Sequence, residues 1–201
     1  MMNKRTMVYL VFLVFITVNC NAQSSSQLVG KWFFEELAGS DFVVLEFSRT
    51  EMSFYALEDD DYETYPYKSD GRTIIIDGDE EWRYTIRNGN SLVITDSDNY
   101  EYIGMKLQAN VTSLSGKYEL VNDIGFIETL EFLNRTTVRG TMDAFGTTGR
   151  FTAEYRISGS NVIMSNSTGG HGTMTLEIIG DSILKGNTFG GLGEDSIFIK
   201  R

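Results

Sequence analysis

The sequence predicts an all-β protein built from two tandem, small, antiparallel up-and-down β-barrels of about eight short strands each. Three observations predict it. The second half of the chain repeats the first in order. Both halves divide into short runs rich in aromatic and β-branched residues, separated by turns containing Gly and Asn. No segment of ten or more residues carries a convincing 3.6-residue apolar period, so helices are not expected.

The repeat is read in five places. Leu28-Val29-Gly30-Lys31-Trp32 reappears as Leu114-Ser115-Gly116-Lys117-Tyr118. Leu45-Glu46-Phe47 with Arg49-Thr50 reappears as Leu130-Glu131-Phe132 with Arg135-Thr136. Tyr67, Gly71 and Ile74-Ile75-Ile76 match Tyr155, Gly159 and Val162-Ile163-Met164. Gly89-Asn90-Ser91-Leu92 matches Gly180-Asp181-Ser182-Ile183, and Met105-Lys106 matches Ile199-Lys200. The offset drifts from 86 through 85, 88 and 91 to 94, as small loop insertions would make it. Repeats of this kind set the architecture.

Taken in order, residues 1–19 read as a signal peptide. Lys4 and Arg5 precede an uncharged apolar run of 12 residues, Met7–Val18. A membrane-spanning helix needs about 20, whereas a secretory signal has a core of this length. Residues 20–26 are a polar tether that begins at Cys20, the single cysteine. This arrangement resembles a bacterial lipoprotein signal, in which cleavage leaves the cysteine as the lipid-modified N-terminus. Ile16-Thr17-Val18-Asn19 departs from the usual Leu-small-small pattern, so ordinary cleavage after Ala22 is the other reading. Both readings export the chain. The first makes it a periplasm-facing or cell-surface lipoprotein held to the membrane by its N-terminal lipid alone; the second makes it a secreted protein.

Residues 27–107 form the first barrel, 108–113 a polar linker and 114–201 the second barrel. In the first, strands are expected to start near Lys31, Phe42, Met52, Thr64, Thr73, Trp82, Ser91 and Tyr100. Glu81–Arg87 and Phe151–Ile157 alternate apolar and polar, the mark of half-buried strands. Ser69-Asp70-Gly71, Arg87-Asn88-Gly89-Asn90, Ser158-Gly159-Ser160 and Gly180-Asp181 are hairpin turns, because Gly and Asn tolerate positive φ. Eight hairpin-connected strands remove exposed edges by closing into a barrel. Side chains nearly fill a barrel of that size, which leaves room for at most one small ligand.

The opening Gly30-Lys31-Trp32, with a basic residue ending the last strand, resembles the lipocalin and fatty-acid-binding superfamily. The chain is similar to the short lipocalin-like domains of exported bacterial proteins. The resemblance implies that Trp32 packs beneath Lys106 to close the base of the first barrel. It implies Tyr118, with Lys200 or Arg201 as its partner, as the corresponding barrel-closing pair of the second. Full lipocalins are about twice as long per barrel and carry a helix that is not found here.

Charge and composition exclude several functions. The chain has 28 acidic and 17 basic residues, a net charge of −11, which argues against a nucleic-acid partner. One cysteine and one histidine cannot build a Cys/His zinc site. The first unit holds 18 acids and 7 bases, the second 10 and 8. Glu58–Asp61 with Glu63, Asp77 with Asp79–Glu81, and Asp96 with Asp98 lack the ligand spacing of the known calcium loop. They read as a solvated face, or as a surface for a basic protein partner. His171, in the glycine-rich stretch 167–172, has no nucleophile or orienting acid placed beside it. No catalytic residue, metal or cofactor is therefore expected, and the protein is read as a non-enzyme.

Aromatic residues carry the case for a ligand. The first unit has 14 and the second 8. Trp82 and Tyr84 share a strand face, and with Phe47 and Tyr102 they are the candidate ligand-binding residues. The competing reading is that they simply fill the core. That leaves two functional expectations: binding of a small apolar or amphipathic molecule in the first barrel, or an envelope interaction module with filled barrels. Glu46 and Glu131 are expected to face outward and pair with cross-strand bases. Phe145–Gly149 and Phe189–Gly193 are expected to be loops.

Overall fold

A computed structural model describes residues 26–121, 127–144, 146–166, 173–186 and 195–201. The first unit contains β1 (Gly30–Leu37), β2 (Ser40–Phe47), β3 (Glu51–Ala56), β4 (Asp61–Ser69), β5 (Thr73–Ile76), β6 (Glu80–Arg87), β7 (Ser91–Thr95) and β8 (Glu101–Lys106). The second contains β9 (Gly116–Leu120), β10 (Ile127–Phe132), β11 (Thr137–Ala144), β12 (Thr147–Ser158), β13 (Asn161–Asn166), β14 (Thr173–Gly180), β15 (Ile183–Gly186) and β16 (Ser196–Lys200). Within each set of eight, strands pair antiparallel with their sequence neighbours, and each set closes on itself, β1 on β8 and β9 on β16. Residues 145 and 189–193, expected in loops, and Cys20 and His171 lie outside the described residues. Gly146 is a turn residue, but Thr147–Gly149, also expected in a loop, belong to β12. There Ala144↔Thr147, Asp143↔Thr148 and Met142↔Gly149 continue the ladder. A tight hairpin satisfies backbone groups that a loop would leave to water.

Hairpin chemistry follows the sequence. Ala38 and Gly39 both have positive φ (53° and 83°) and join Leu37 to Ser40 in a two-residue turn, the primed geometry that matches strand twist. The repeat also recurs as hydrogen bonds. The Tyr67 hydroxyl donates to the Ser48 carbonyl and the Tyr155 hydroxyl to that of Asn134, each at 2.8 Å. Both tyrosines thus tie a strand to the preceding turn. That turn is itself capped by Ser48 Oγ in one barrel and Asn134 Oδ1 in the other.

Each barrel has its own core. Leu28, Trp32, Phe34, Leu45, Phe47, Trp82 and Tyr84 belong to the first. Leu114, Tyr118, Leu130, Phe132, Tyr155 and Phe198 belong to the second. Outward positions carry charge: Lys31 pairs with Glu46 at 3.4 Å and Arg139 with Glu131 at 3.6 Å, the cross-strand arrangement expected for both glutamates. One boundary moves. Leu107 groups with the second unit, because Gly180 leaves room for it: a Cβ there would stand 2.8 Å from the Leu107 Cβ. Gln108 N–H donates to Asp181 Oδ1 at 3.1 Å, and Val111 packs on the second core. The expected linker is therefore laid against its own barrel.

Candidate functional site

Up-and-down topology gives each barrel two distinct ends. In the first, Gly30 of β1 stands opposite Phe47 of β2, so the start of β1 and the end of β8 share one end, here called the base. A short helical turn at Ser26–Leu28 places Leu28 in the core with no exposure. The Trp32 indole N–H donates to the Leu28 carbonyl at 2.7 Å. Trp32 and Lys106 are direct register partners, and the Lys106 ammonium stands 4.9 Å from the indole ring centroid, within cation–π range. The same amine lies 3.3 Å from the Gln27 carbonyl. In the second barrel Tyr118 and Lys200 are register partners, with the ammonium 6.0 Å from the phenol ring. The Tyr118 hydroxyl donates to the Asp181 carbonyl at 2.6 Å. Burial, followed by the nearby Asp181 carboxylate, holds its pKa well above the ordinary tyrosine value.

The other end of the first barrel is its mouth, bounded by the β1–β2, β3–β4, β5–β6 and β7–β8 turns. A recess of about 310 Å³ opens there, at the lower edge of the range for small-molecule sites, roughly 300–1,000 Å³. Its apolar wall includes Met52, Phe54, Tyr65, Ile76 and Trp82, and four carboxylates line it as well: Glu63, Asp77, Asp79 and Glu80. Glu63 shares the inner face of β4 with half-buried Tyr65 and buried Tyr67. Glu80 shares the inner face of β6 with buried Trp82 and Tyr84. Both glutamates are held by the ring below them. The Tyr65 hydroxyl donates to Glu63, and the Trp82 indole N–H to Glu80 Oε1 at 2.8 Å.

Of the four candidate ligand residues, Trp82 lines this recess and the other three do not. Phe47 lies at the base, edge-on to Tyr67 at 5.3 Å between ring centroids. Tyr84 sits one step deeper than Trp82 on β6, its hydroxyl 3.0 Å from Ser69 Oγ. Tyr102 is near the mouth but donates to Asp96 Oδ2 at 3.1 Å, and burial followed by Asp96 raises its pKa. Aromatic content drew attention to the first barrel; position along the strand decides which of its rings meets the recess. Extending the period-2 pattern one step toward the mouth, as Glu63-x-Tyr65-x-Tyr67 and Glu80-x-Trp82-x-Tyr84, finds the two carboxylates that composition alone missed.

The second barrel offers an internal control. Ladder partners make Phe54–Glu63 equivalent to Gly140–Phe151. Ile76–Glu80 and Ile74–Trp82 are equivalent to Met164–Met174 and Val162–Leu176. Where the first barrel has inward Glu63, Glu80 and Trp82, the second therefore has Phe151, Met174 and Leu176. A recess of about 220 Å³ beside the second barrel is bounded by Lys117, Glu131, Arg139 and Arg150, side chains of the outer sheet face. Among the described residues no group of three or more His, Cys, Asp or Glu side chains is placed to hold a metal ion. Compared with known proteins, the chain matches no family model, and no curated protein matches it.

Proposed function

We propose that this is an exported, non-catalytic binding protein, anchored by a lipid on Cys20, whose first barrel takes up a small apolar or amphipathic molecule. The observation that carries the reading is the recess of about 310 Å³ at the mouth, walled by Phe54, Tyr65 and Trp82. Leu28 and Trp32 fill the opposite end beneath Lys106, so the mouth recess is the place where a lipocalin-like domain of this kind would hold a ligand. The amphipathic lining, rings below and carboxylates above, suits a molecule with an apolar body and a polar head.

The test is native mass spectrometry of the chain from Gln23 onward, both barrels together, purified gently from its own host. The expected result is a reproducible added mass on the wild type that is lost in Trp82→Ala/Tyr65→Ala, with the β-sheet circular dichroism unchanged. A clean apo mass on the wild type, with no displacement of a neutral apolar dye, overturns the binding reading. The anchor has a separate test. The full-length product should partition into detergent on phase separation, and Cys20→Ser should move it to the aqueous phase; partition unchanged by that substitution overturns the anchor.

A further inference from the structure

We infer that the ligand of the first barrel is an amphipathic organic cation, its apolar body against Phe54, Tyr65 and Trp82 and its ammonium head between Glu63 and Glu80. The inference rests on the reading of the mouth recess as a binding site and narrows it to one charge class. Glu63 and Glu80 are exposed at the rim of the recess, beside half-buried Tyr65 and buried Trp82, so a cationic head there keeps contact with water while it is attracted to their charge. Glu63 and Glu80 receive hydrogen bonds from Tyr65 and Trp82, which orient them but bring no positive charge. None of the ion pairs among the described residues involves Glu63, Asp77, Asp79 or Glu80. Aromatic rings in the wall of a recess attract cations as well, so wall and rim favour the same guest.

Two further observations make this more than a solvated acidic face. The first is the second barrel, where the equivalent inward positions are Phe151 and Met174. Closing a barrel of this design therefore does not require acids there. The second is the distribution of charge. Glu58–Asp61 lie in and beside the β3–β4 turn, Asp77 with Asp79–Glu81 at the β5–β6 turn, and Asp96 with Asp98 in the β7–β8 turn. All three turns border the mouth. Lys31, Arg49, Lys68, Arg72, Arg87 and Lys106 lie at or near the base, and among the described residues Arg83 is the one base of this barrel that reaches a mouth turn, donating to Asn99 Oδ1 at 2.5 Å. Such an arrangement steers cations toward the opening and turns anions away. A fatty-acid carboxylate would meet four like charges on entry, so the usual anionic guests of β-barrel carriers are disfavoured.

The experiment uses the chain from Gln23 and three probes with one tail and different heads: phenylbutylamine, phenylbutanol and phenylbutyrate. Binding is read by tryptophan emission, since both tryptophans belong to the first barrel, and by calorimetry. The amine should bind at least ~10-fold tighter than the alcohol, with the carboxylate weakest and the amine's advantage shrinking as salt is raised. Glu63→Gln/Glu80→Gln should bring the amine down to the level of the alcohol and leave the alcohol unchanged. Glu58→Gln/Asp59→Asn, which removes the same charge outside the lining, should keep most of the gap. Equal binding of all three probes overturns the cation inference and leaves the recess as a binding site. An equal effect of the two double variants overturns the placement of the head between Glu63 and Glu80. Absence of any binding overturns both the inference and the reading beneath it.

Discussion

The two barrels share a frame and differ at the mouth. Their bases correspond almost residue for residue: Trp32 with Lys106 against Tyr118 with Lys200, and Tyr67 on Ser48 against Tyr155 on Asn134. The upper inner faces do not correspond. Glu63, Glu80 and Trp82 stand at positions that Phe151, Met174 and Leu176 occupy in the second copy. The repeated features are those that close and twist a barrel, so they read as the requirements of the fold. The unrepeated features concentrate around one recess, where the fold does not explain them. A duplicated chain thus separates, without an alignment, the residues that a barrel requires from those that it does not.

Trp32→Ala removes a fully buried indole together with its hydrogen bond and its cation contact, and should destabilise the first barrel by about 3–5 kcal/mol. Urea unfolding followed by Trp82 emission reads that barrel; a loss below about 1 kcal/mol would show that the base is not closed as described. The next pair is Gly104→Ala and Gly140→Ala. A Cβ at Gly104 would stand 2.4 Å from the Phe34 ring and one at Gly140 2.2 Å from the Phe151 ring. Phe34 is fully buried and Phe151 only half-buried, so Phe34 has less room to move. Overpacking costs roughly 1–3 kcal/mol. Gly104→Ala should fall at the upper end and Gly140→Ala at the lower, as measured by the shift in thermal midpoint.

Tyr118→Phe should cost about 1 kcal/mol at neutral pH through loss of the bond to the Asp181 carbonyl. It carries a pH signature as well. Burial raises the Tyr118 pKa above its ordinary value of 10.0, so the fold favours the neutral phenol. Its contribution is complete below about pH 10 and falls as pH rises further, because the unfolded chain ionises first. Tyr118→Phe should therefore flatten the alkaline loss of stability, though not abolish it, since the Tyr67 and Tyr155 phenols are also raised by burial. An unchanged alkaline slope would contradict the burial argument. The smallest effect belongs to the outer face. Glu46→Gln breaks a half-exposed pair with Lys31 and should cost less than about 1 kcal/mol.

Much of this architecture was legible in the sequence because a barrel's requirements are local and periodic. Alternation in Glu81–Arg87 assigned Trp82 and Tyr84 to the inner face, and Asn-Gly and Ser-Gly pairs marked the turns. The five matched segments gave both units. Polar composition at Gln108–Ser113 marks the joining segment but says nothing about its neighbour. Only the folded structure shows Leu107 laid on Gly180 and Gln108 bonded to Asp181. The site was half legible. Composition chose the first barrel and Trp82, but depth along a strand depends on how the closed sheet is staggered. Phe47 and Tyr84 are therefore core and Tyr102 an Asp96 partner, while Glu63 and Glu80 are exposed, as surface acids should be, and also border the recess.

The most direct test of the central claim, that the first barrel is the ligand-holding copy, is amide chemical-shift mapping by NMR of the chain from Gln23 titrated with phenylbutylamine. The account predicts saturable shifts concentrated on Met52–Phe54, Glu63–Tyr65 and Ile76–Trp82, with β11, β12 and β14 unmoved. Shifts centred on the second barrel, or none anywhere in the chain, would contradict it.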